Sequence, residues 1–356
     1  MANLKNTTVS GSLTLPSGNI SDRATAVAGK FRHNSVTGAY EYYDGTKWVT
    51  RHSGVSATGG QDIYDIGPYR VHVFTGTSSF VVSSGGIVDV LLVAGGGGGG
   101  SHVPGGGGAG GLIYRPGLEV SATTYSISIG NGGNGSYNPG GYTSMPNATQ
   151  GGDTTGFGLT AKGGGHGASW TQDQRSSISG GSGGGNNINR NSSGGAATQP
   201  SQSGDSGTYG FGNAGASSLE SGSSPYPCGG GGGAGAPGTP GPILERAGDG
   251  GPGRYYGDKF GTKYGENGWF AGGGGGGGWG NPSNGRGFGG IGGGGDGSSP
   301  TGNGTGNDIR SSIGVPTGES GSPNTGGGGG GAGRTGGESS RGGNGGSGIV
   351  MIRYLR

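Results

Sequence analysis

The chain has 356 residues, 105 of them glycine, with a net charge of +2, 11% charged residues and 26% hydrophobic residues. That balance lacks the basic footprint of a nucleic-acid-binding protein or of a chain drawn to an anionic membrane surface. Collagen is excluded too, because the glycines come in runs and not at every third position.

Composition alone describes a flexible, low-complexity chain. Glycine loses more entropy on ordering than any other residue, and little apolar surface offsets that loss. Yet the first glycine run, residues 95–100, leaves directly from an apolar stretch at residues 87–94, and the last run, residues 326–331, is followed by a second β-like stretch at residues 348–355. Further tracts occupy residues 105–108, 163–165, 229–233, 272–278 and 292–295. If such tracts are ordered, a non-hydrophobic interaction must hold them. The polyproline II conformation suits them: it has three residues per turn and no internal hydrogen bonds, so N–H and C=O groups are free to bond sideways. With no side chains in the way, several such helices can pack together. Residues 272–278 would span about 22 Å in this form.

In chain order, residues 1–55 read as a β module. Residues 9–15 alternate like a half-buried strand ending at Pro16, and Phe31-Arg32-His33-Asn34 and Ala39-Tyr40-Glu41-Tyr42-Tyr43 flank a hairpin-sized loop. A turn at Asp44-Gly45-Thr46 leads into Lys47-Trp48-Val49. This run, from Gly29 to Val49, resembles a module of tail-fibre and other structural proteins of T4-like and cyanobacterial bacteriophages. The resemblance implies attachment to other virion proteins and a homotrimer.

Residues 56–130, joined by residues 345–356, read as the framework of an antiparallel β-sandwich. Tyr69, Val71 and Val73 alternate on one face, residues 87–93 read as a buried strand, and residues 120–129 supply another with Tyr125, Ile127 and Ile129 in alternation. Residues 131–344 then form an inserted polyglycine-II bundle. The expected fold is all-β, a hairpin module plus a sandwich carrying that bundle, with almost no α-helix. The residues 69–74, 88–95 and 345–350 together resemble the glycine-rich domain of phage structural proteins. A similar pairing of sandwich and polyglycine helices occurs in the glycine-rich region of the anaplastic lymphoma kinase receptor. The tip adhesins of some T4-like long tail fibres are similar in being stacks of polyglycine helices with recognition loops between them.

Little in the chain points to catalysis. The histidines, His33, His52, His72, His102 and His166, show no metal-ligand spacing with one another or with Cys228, and the acidic residues are scattered. Matches to G-x-G-x-x-G are inevitable here and no phosphate-loop motif occurs. The expectation is a protein that is not an enzyme and uses no cofactor or metal. Its start lacks the apolar core of a signal peptide, and no stretch approaches the ~18–20 apolar residues of a membrane span. Synthesis in a host cytoplasm follows as an expectation, and residence in a virion is what the phage resemblance implies.

The positive feature is aromatic residues in polar inserts. Trp170, Tyr226, Tyr255, Tyr256, Tyr264, Trp269, Phe270, Trp279 and Arg286 are the receptor-contact candidates, since rigid rings and guanidinium groups contribute contact area at low entropic cost. Tyr255, Tyr256 and Tyr264, set among Lys and Asp, favour exposure. Trp269, Phe270 and Trp279 fit equally well as caps of a glycine-helix core. The resulting expectation is a tail-fibre adhesin binding a host glycan or outer-membrane protein, with no nucleic-acid partner. Its alternative is a capsid-decoration, head-fibre or tail-assembly protein. An ice-binding protein would need a ladder of regularly spaced Thr, which is missing.

Overall fold

The computed structural model describes residues 15–23, 27–36, 39–52, 54–140, 147–170, 177–187, 193–217, 228–241, 246–278, 285–299, 315–333 and 339–356. Residues 9–14 of the first expected strand lie outside these. Strands β1 (Ser17–Gly18), β2 (Phe31–Asn34), β3 (Ala39–Tyr43) and β4 (Trp48–His52) form a four-stranded sheet in that order, β1 parallel to β2 and the rest antiparallel. The expected hairpin is β2–β3. Glu41 is buried within this module between Arg23 and Arg32 and also accepts from the Asn34 side chain at 3.0 Å. The Arg23 contact, first among these, holds the Glu41 carboxyl below its usual range against the opposing effect of burial.

The framework follows as β5 (Ser56–Thr58), β6 (Asp62–Ile66), β7 (Tyr69–Phe74), β8 (Ser78–Ser84), β9 (Gly86–Val93), β10 (Leu112–Val120) and β11 (Thr124–Ile127). Short elements interrupt the glycine region: β12 (Tyr137–Asn138), β13 (Thr154–Gly156), β14 (Leu159–Ala161), α1 (Asp205–Thr208), β15 (Gly210–Phe211), β16 (Arg254–Tyr255), α2 (Gly257–Phe260), β17 (Trp269–Phe270) and β18 (Ser340–Arg341). The chain closes with β19 (Ile349–Leu355). Residues 120–129, expected as one strand, are the end of β10 and then β11.

A six-stranded sheet has the order β15-β10-β9-β19-β7-β6, and a three-stranded sheet the order β11-β8-β5. The last strand therefore lies in the middle, antiparallel to both β7 and β9. Side-chain alternation gives the larger sheet two apolar faces. Phe74, Val90, Leu92, Val350 and Ile352 meet Phe80, Val82 and Ile127 of the smaller sheet. Val71, Val73, Leu91, Val93, Leu112 and Met351 face the other way. Both sides are covered along the second half of β9, where residues 90–93 form an uninterrupted apolar run.

Between β9 and β10 the chain leaves the sheet, runs out through residues 95–100, turns at residues 101–104 and returns through residues 105–111. This pair belongs to the glycine bundle, so the framework does not run unbroken over residues 56–130. The hydrogen bonds of residues 95–100 repeat every three residues. The N–H groups of Gly95 and Gly98 donate to Gly152 and Thr149, those of Gly96 and Gly99 to Gly346 and Gly343, and those of Gly97 and Gly100 to Gly108 and Gly105. Their carbonyls accept, in the same rotation, from Gly164 and Gly167, from Gly133 and Ser136, and from Gly329 and Ala332. All these bonds are 2.8–3.1 Å.

One glycine helix is thus bonded to six neighbours, three antiparallel and three parallel, with every backbone polar group used. The pattern is that of a three-residue turn. Residues 272–278 repeat it. Gly272, Gly275 and Gly278 donate to Gly292, Gly295 and Ser298, Gly273 and Gly276 to Gly251 and Gly248, and Gly274 and Gly277 to Gly107 and Pro104.

The same geometry explains the composition. A Cβ on Gly97, Gly98 or Gly99 would lie closer than 3.0 Å to the carbonyl oxygen of Gly165, Asn134 or Gly330 respectively. No side chain yields in that position, because backbone stands on the other side. Where helices abut the sheet, small side chains return: Ala109, Ala234 and Ala271 are buried in its second apolar cluster. Gly98→Ala is expected to cost at least about 3 kcal/mol in equilibrium unfolding. Gly76→Ala, whose added methyl would have only the Gln61 amide at 3.8 Å, should stay within about 1 kcal/mol of the parent. Equal effects of the two substitutions would contradict the packing.

Candidate functional site

The glycine helices run alternately away from the sheet and back, which gives the bundle two poles. At the sheet pole the connections are built elements: the β13–β14 hairpin, the stretch containing α1 and β15, and the β16–α2–β17 stretch. The turn at residues 101–104 marks the far pole. Around it Trp170 N–H donates to the His102 carbonyl, the Asn187 side chain to the Ser169 carbonyl, and Gly229 N–H to the Asn186 carbonyl. Ala332 bridges to both Ser101 and Ser298, and β12 pairs with β18. Buried hydroxyls of Ser101, Ser136 and Ser169 form one cluster, Ser136 donating to Ser101 at 2.6 Å and lying 3.1 Å from Ser169. The described residues on either side of each interval between outgoing and returning helices collect at this pole.

Among the described residues, the sequence candidates fall at both poles and on the bundle flank. Tyr255, Tyr256, Tyr264, Trp269 and Phe270 all belong to the β16–α2–β17 stretch at the sheet pole. Phe270 is fully buried and Tyr256 is 6% exposed, packed with Phe260 against Val71, Leu91, Leu112 and Met351. The polar neighbours Asp258 and Lys259 suggest an exposed stretch, but only one side of it is wet. The other closes the second face of the main sheet, so Tyr256 and Phe270 are packing residues and not contact residues. Arg353 ties the cap down by donating to the Lys259 carbonyl at 3.1 Å while paired with Asp89 at 2.8 Å. Tyr64 Oη donates to the Phe260 carbonyl at 2.7 Å.

Tyr255 is 45% exposed and lies 5.5 Å from the half-buried ring of Trp269. Tyr264 stacks at 6.4 Å on Tyr64, and Lys263 sits 5.4 and 5.8 Å from those two rings while paired with Asp62 at 2.6 Å. The Lys263 contact is the main cause holding the Asp62 carboxyl below its usual range. Burial pushes the Tyr64 and Tyr264 hydroxyls up, away from ionisation. Trp170 is half-buried at the far pole. Arg286 lies on the bundle flank with its Nε 3.1 Å from Asp296. Tyr226 and Trp279 lie outside the described residues.

The sequence reading missed Phe288, which is 51% exposed with the guanidinium groups of Arg246 and Arg286 at 5.6 and 5.3 Å from its ring. It also missed the carboxylates that close the edge of the lattice. Phe288 N–H donates to Asp249, Gly289 N–H to Asp296, and Gly163 N–H to Asp153, each at 2.8 Å, and Glu266 accepts from Gly292 and Gly293. Burial raises the Asp249 carboxyl, but Arg246 and the Phe288 N–H outweigh it and leave it below its usual range. Asp residues next to glycine tracts are the available signal for these caps. Among the described residues no group of three or more His, Cys, Asp or Glu could hold a metal, and no helix is long and apolar enough to cross a membrane.

The family described as a glycine-rich domain matches residues 72–355, from β7 to the end of β19. The chain belongs to this family. The span of the glycine-rich domain agrees with a sheet whose central strands come from both ends of the matched region. A search of curated proteins returned no match. Within this glycine-rich domain, Tyr256→Ala is expected to lose about 3 kcal/mol or more in chemical unfolding, and Tyr255→Ala less than about 1 kcal/mol. The reverse order would place Tyr256, not Tyr255, at the surface.

Proposed function

We propose that the chain is an exterior protein of a bacteriophage virion, most specifically a tail-fibre adhesin. In this reading the far pole of the bundle meets a glycan or membrane protein of the host surface. The observation that carries it is polarity. Both framework ends and the built connections lie at the sheet pole, while the residues flanking the remaining intervals gather at the opposite one. A bundle whose central helix is bonded at every backbone group is a rigid platform on which to present recognition residues. The resemblance of residues 29–49 to a phage module supports attachment to other virion proteins and a homotrimer. Three copies would raise avidity by about 10²–10⁴ over one site.

A second reading, a capsid-decoration or tail-assembly protein that binds no cell, is favoured by one observation: the aromatic stretch at residues 254–270 is largely a packing element. Competition separates the two. Purified full-length protein is expected to block adsorption of the intact virion to its host. A version with residues 171–176 and 218–227 replaced by Gly-Ser linkers of equal length should fail to block at an unchanged melting temperature. No blocking by the parent protein, together with immunogold label over the head, would replace the adhesin reading by the second one.

A further inference from the structure

His72, in β7, is a titratable group sealed inside the sandwich. It is fully buried, meets the Phe80 ring edge to face at 5.3 Å and stacks on Tyr354 at 5.5 Å. Both ring nitrogens are bonded: Nδ1 lies 2.7 Å from the Gly59 carbonyl and Nε2 2.9 Å from the Tyr354 hydroxyl. A carbonyl only accepts, so Nδ1 carries the proton and Nε2 accepts from Tyr354. The Tyr354 hydroxyl also meets the backbone of Ala57.

These bonds join parts of the chain that little else joins. His72 and Tyr354 belong to neighbouring strands of the main sheet, whereas Ala57 lies in β5 and Gly59 in the turn after it. β5 is the first strand after the N-terminal module, has three residues, and sits at the edge of the smaller sheet with β8 as its partner. Gly59 and Gly60 both have positive φ, and a Cβ on Gly59 would collide with the Ser79 carbonyl oxygen. The turn is thus shaped to bring its carbonyl to the imidazole.

Only a neutral ring fits this arrangement. A second proton would sit on Nε2 and oppose the hydrogen that Tyr354 donates, in a setting where an unpaired donor or a bare charge is costly. The ring is faced by Phe80 from β8, Ile63 from β6, Ile352 and Tyr354 from β19, and the Gly59 carbonyl. Among the described residues no carboxylate bonds to it. Arg70, in the same strand, adds a like charge and is itself paired with Asp65 at 3.1 Å, which also pairs with Arg356.

We propose that His72 is an acid-released latch on the connection between the N-terminal module and the glycine-rich domain. Protonation breaks its two bonds and frees β5 with residues 59–60 from the main sheet, while β9 and the glycine bundle stay folded. Burial is the main cause holding the enclosed imidazole below its ordinary value of 6.5, with the Gly59 bond opposing that shift and Arg70 adding to it. The open form therefore takes the proton first. The latch is fully closed above that ordinary value and loosens as pH falls below it, the opening equilibrium growing about tenfold per pH unit until the enclosed ring itself titrates. It operates independently of the far pole of the bundle.

Amide hydrogen exchange on the full-length protein, corrected for the intrinsic pH dependence of exchange, tests the latch. Between about pH 7.5 and about pH 5, residues 56–61 are expected to lose at least about tenfold in protection while Leu91 and Val93 keep theirs. His72→Gln, which takes up no proton, should abolish that pH dependence. If His72→Gln does not fold, the imidazole nitrogen NMR signals of the parent decide: His72 should be the neutral Nδ1–H tautomer and should convert only in step with the lost protection. Unchanged protection at residues 56–61, an equal loss in β9, a ring that titrates at its ordinary value with β5 still closed, or a folded His72→Gln with the parent's pH dependence would each overturn the proposal.

Discussion

Lateral hydrogen bonding between helices that have no side chains is the interaction on which the molecule depends. In residues 95–100 each N–H and each C=O is used, in a rotation of three directions, and each neighbour is met at backbone distance. Shared between two residues, this amounts to one bond per residue, a net of about 0.5–1.5 kcal/mol. That is close to the ~1–2 kcal/mol that ordering a residue's backbone costs. The remainder comes from close contact. The Cα hydrogens point at neighbouring carbonyl oxygens, as the positions of the clashing Cβ atoms on Gly97 and Gly98 show, and such contacts add smaller favourable terms. Glycine, usually a weak point in regular structure, is here the residue that permits the packing.

The sandwich registers this lattice. Strand β9 delivers the chain to the first central helix, β10 receives the returning one, and β19 enters between β9 and β7 after the last helix has come back. The helices therefore start from a fixed row, and Ala109, Ala234 and Ala271 seat them on its apolar surface. At the lattice edge, where an outer helix has no further neighbour, Asp153, Asp249, Asp296 and Glu266 accept the outward N–H groups. Several of these carboxylates are paired with cations, Lys162, Arg246 and Arg286. Such caps act as charged residues do on an edge strand: they satisfy the backbone and discourage addition of another chain.

Much of this architecture is legible in the residues. Runs of glycine leaving one apolar strand and ending before another identify the bundle and the strands that bracket it, because both signals are local. The boundary at residue 131 is not legible, since the tracts at 95–100 and 105–108 look like a loop of the framework unless their distant partners, such as Gly343 and Gly329, are known. The cap at residues 254–270 fails for the same reason. Tyr256 and Phe270 are buried by Val71, Leu91 and Met351, which lie far away in the chain, while Arg254, Asp258 and Lys259, close to Tyr256 in sequence, are charged. Scattered acidic residues become edge caps only when the helices they close have been placed.

Amide hydrogen exchange on the tract glycines tests the central claim most directly. A fully bonded lattice predicts that Gly97, Gly98, Gly99, Gly274 and Gly329 exchange as slowly as Leu91 and Val93 in β9, opening only with the global unfolding of the domain. Exchange of those glycines at rates near those of an unstructured chain, while β9 stays protected, would show a sandwich carrying a disordered glycine insert and would contradict the account.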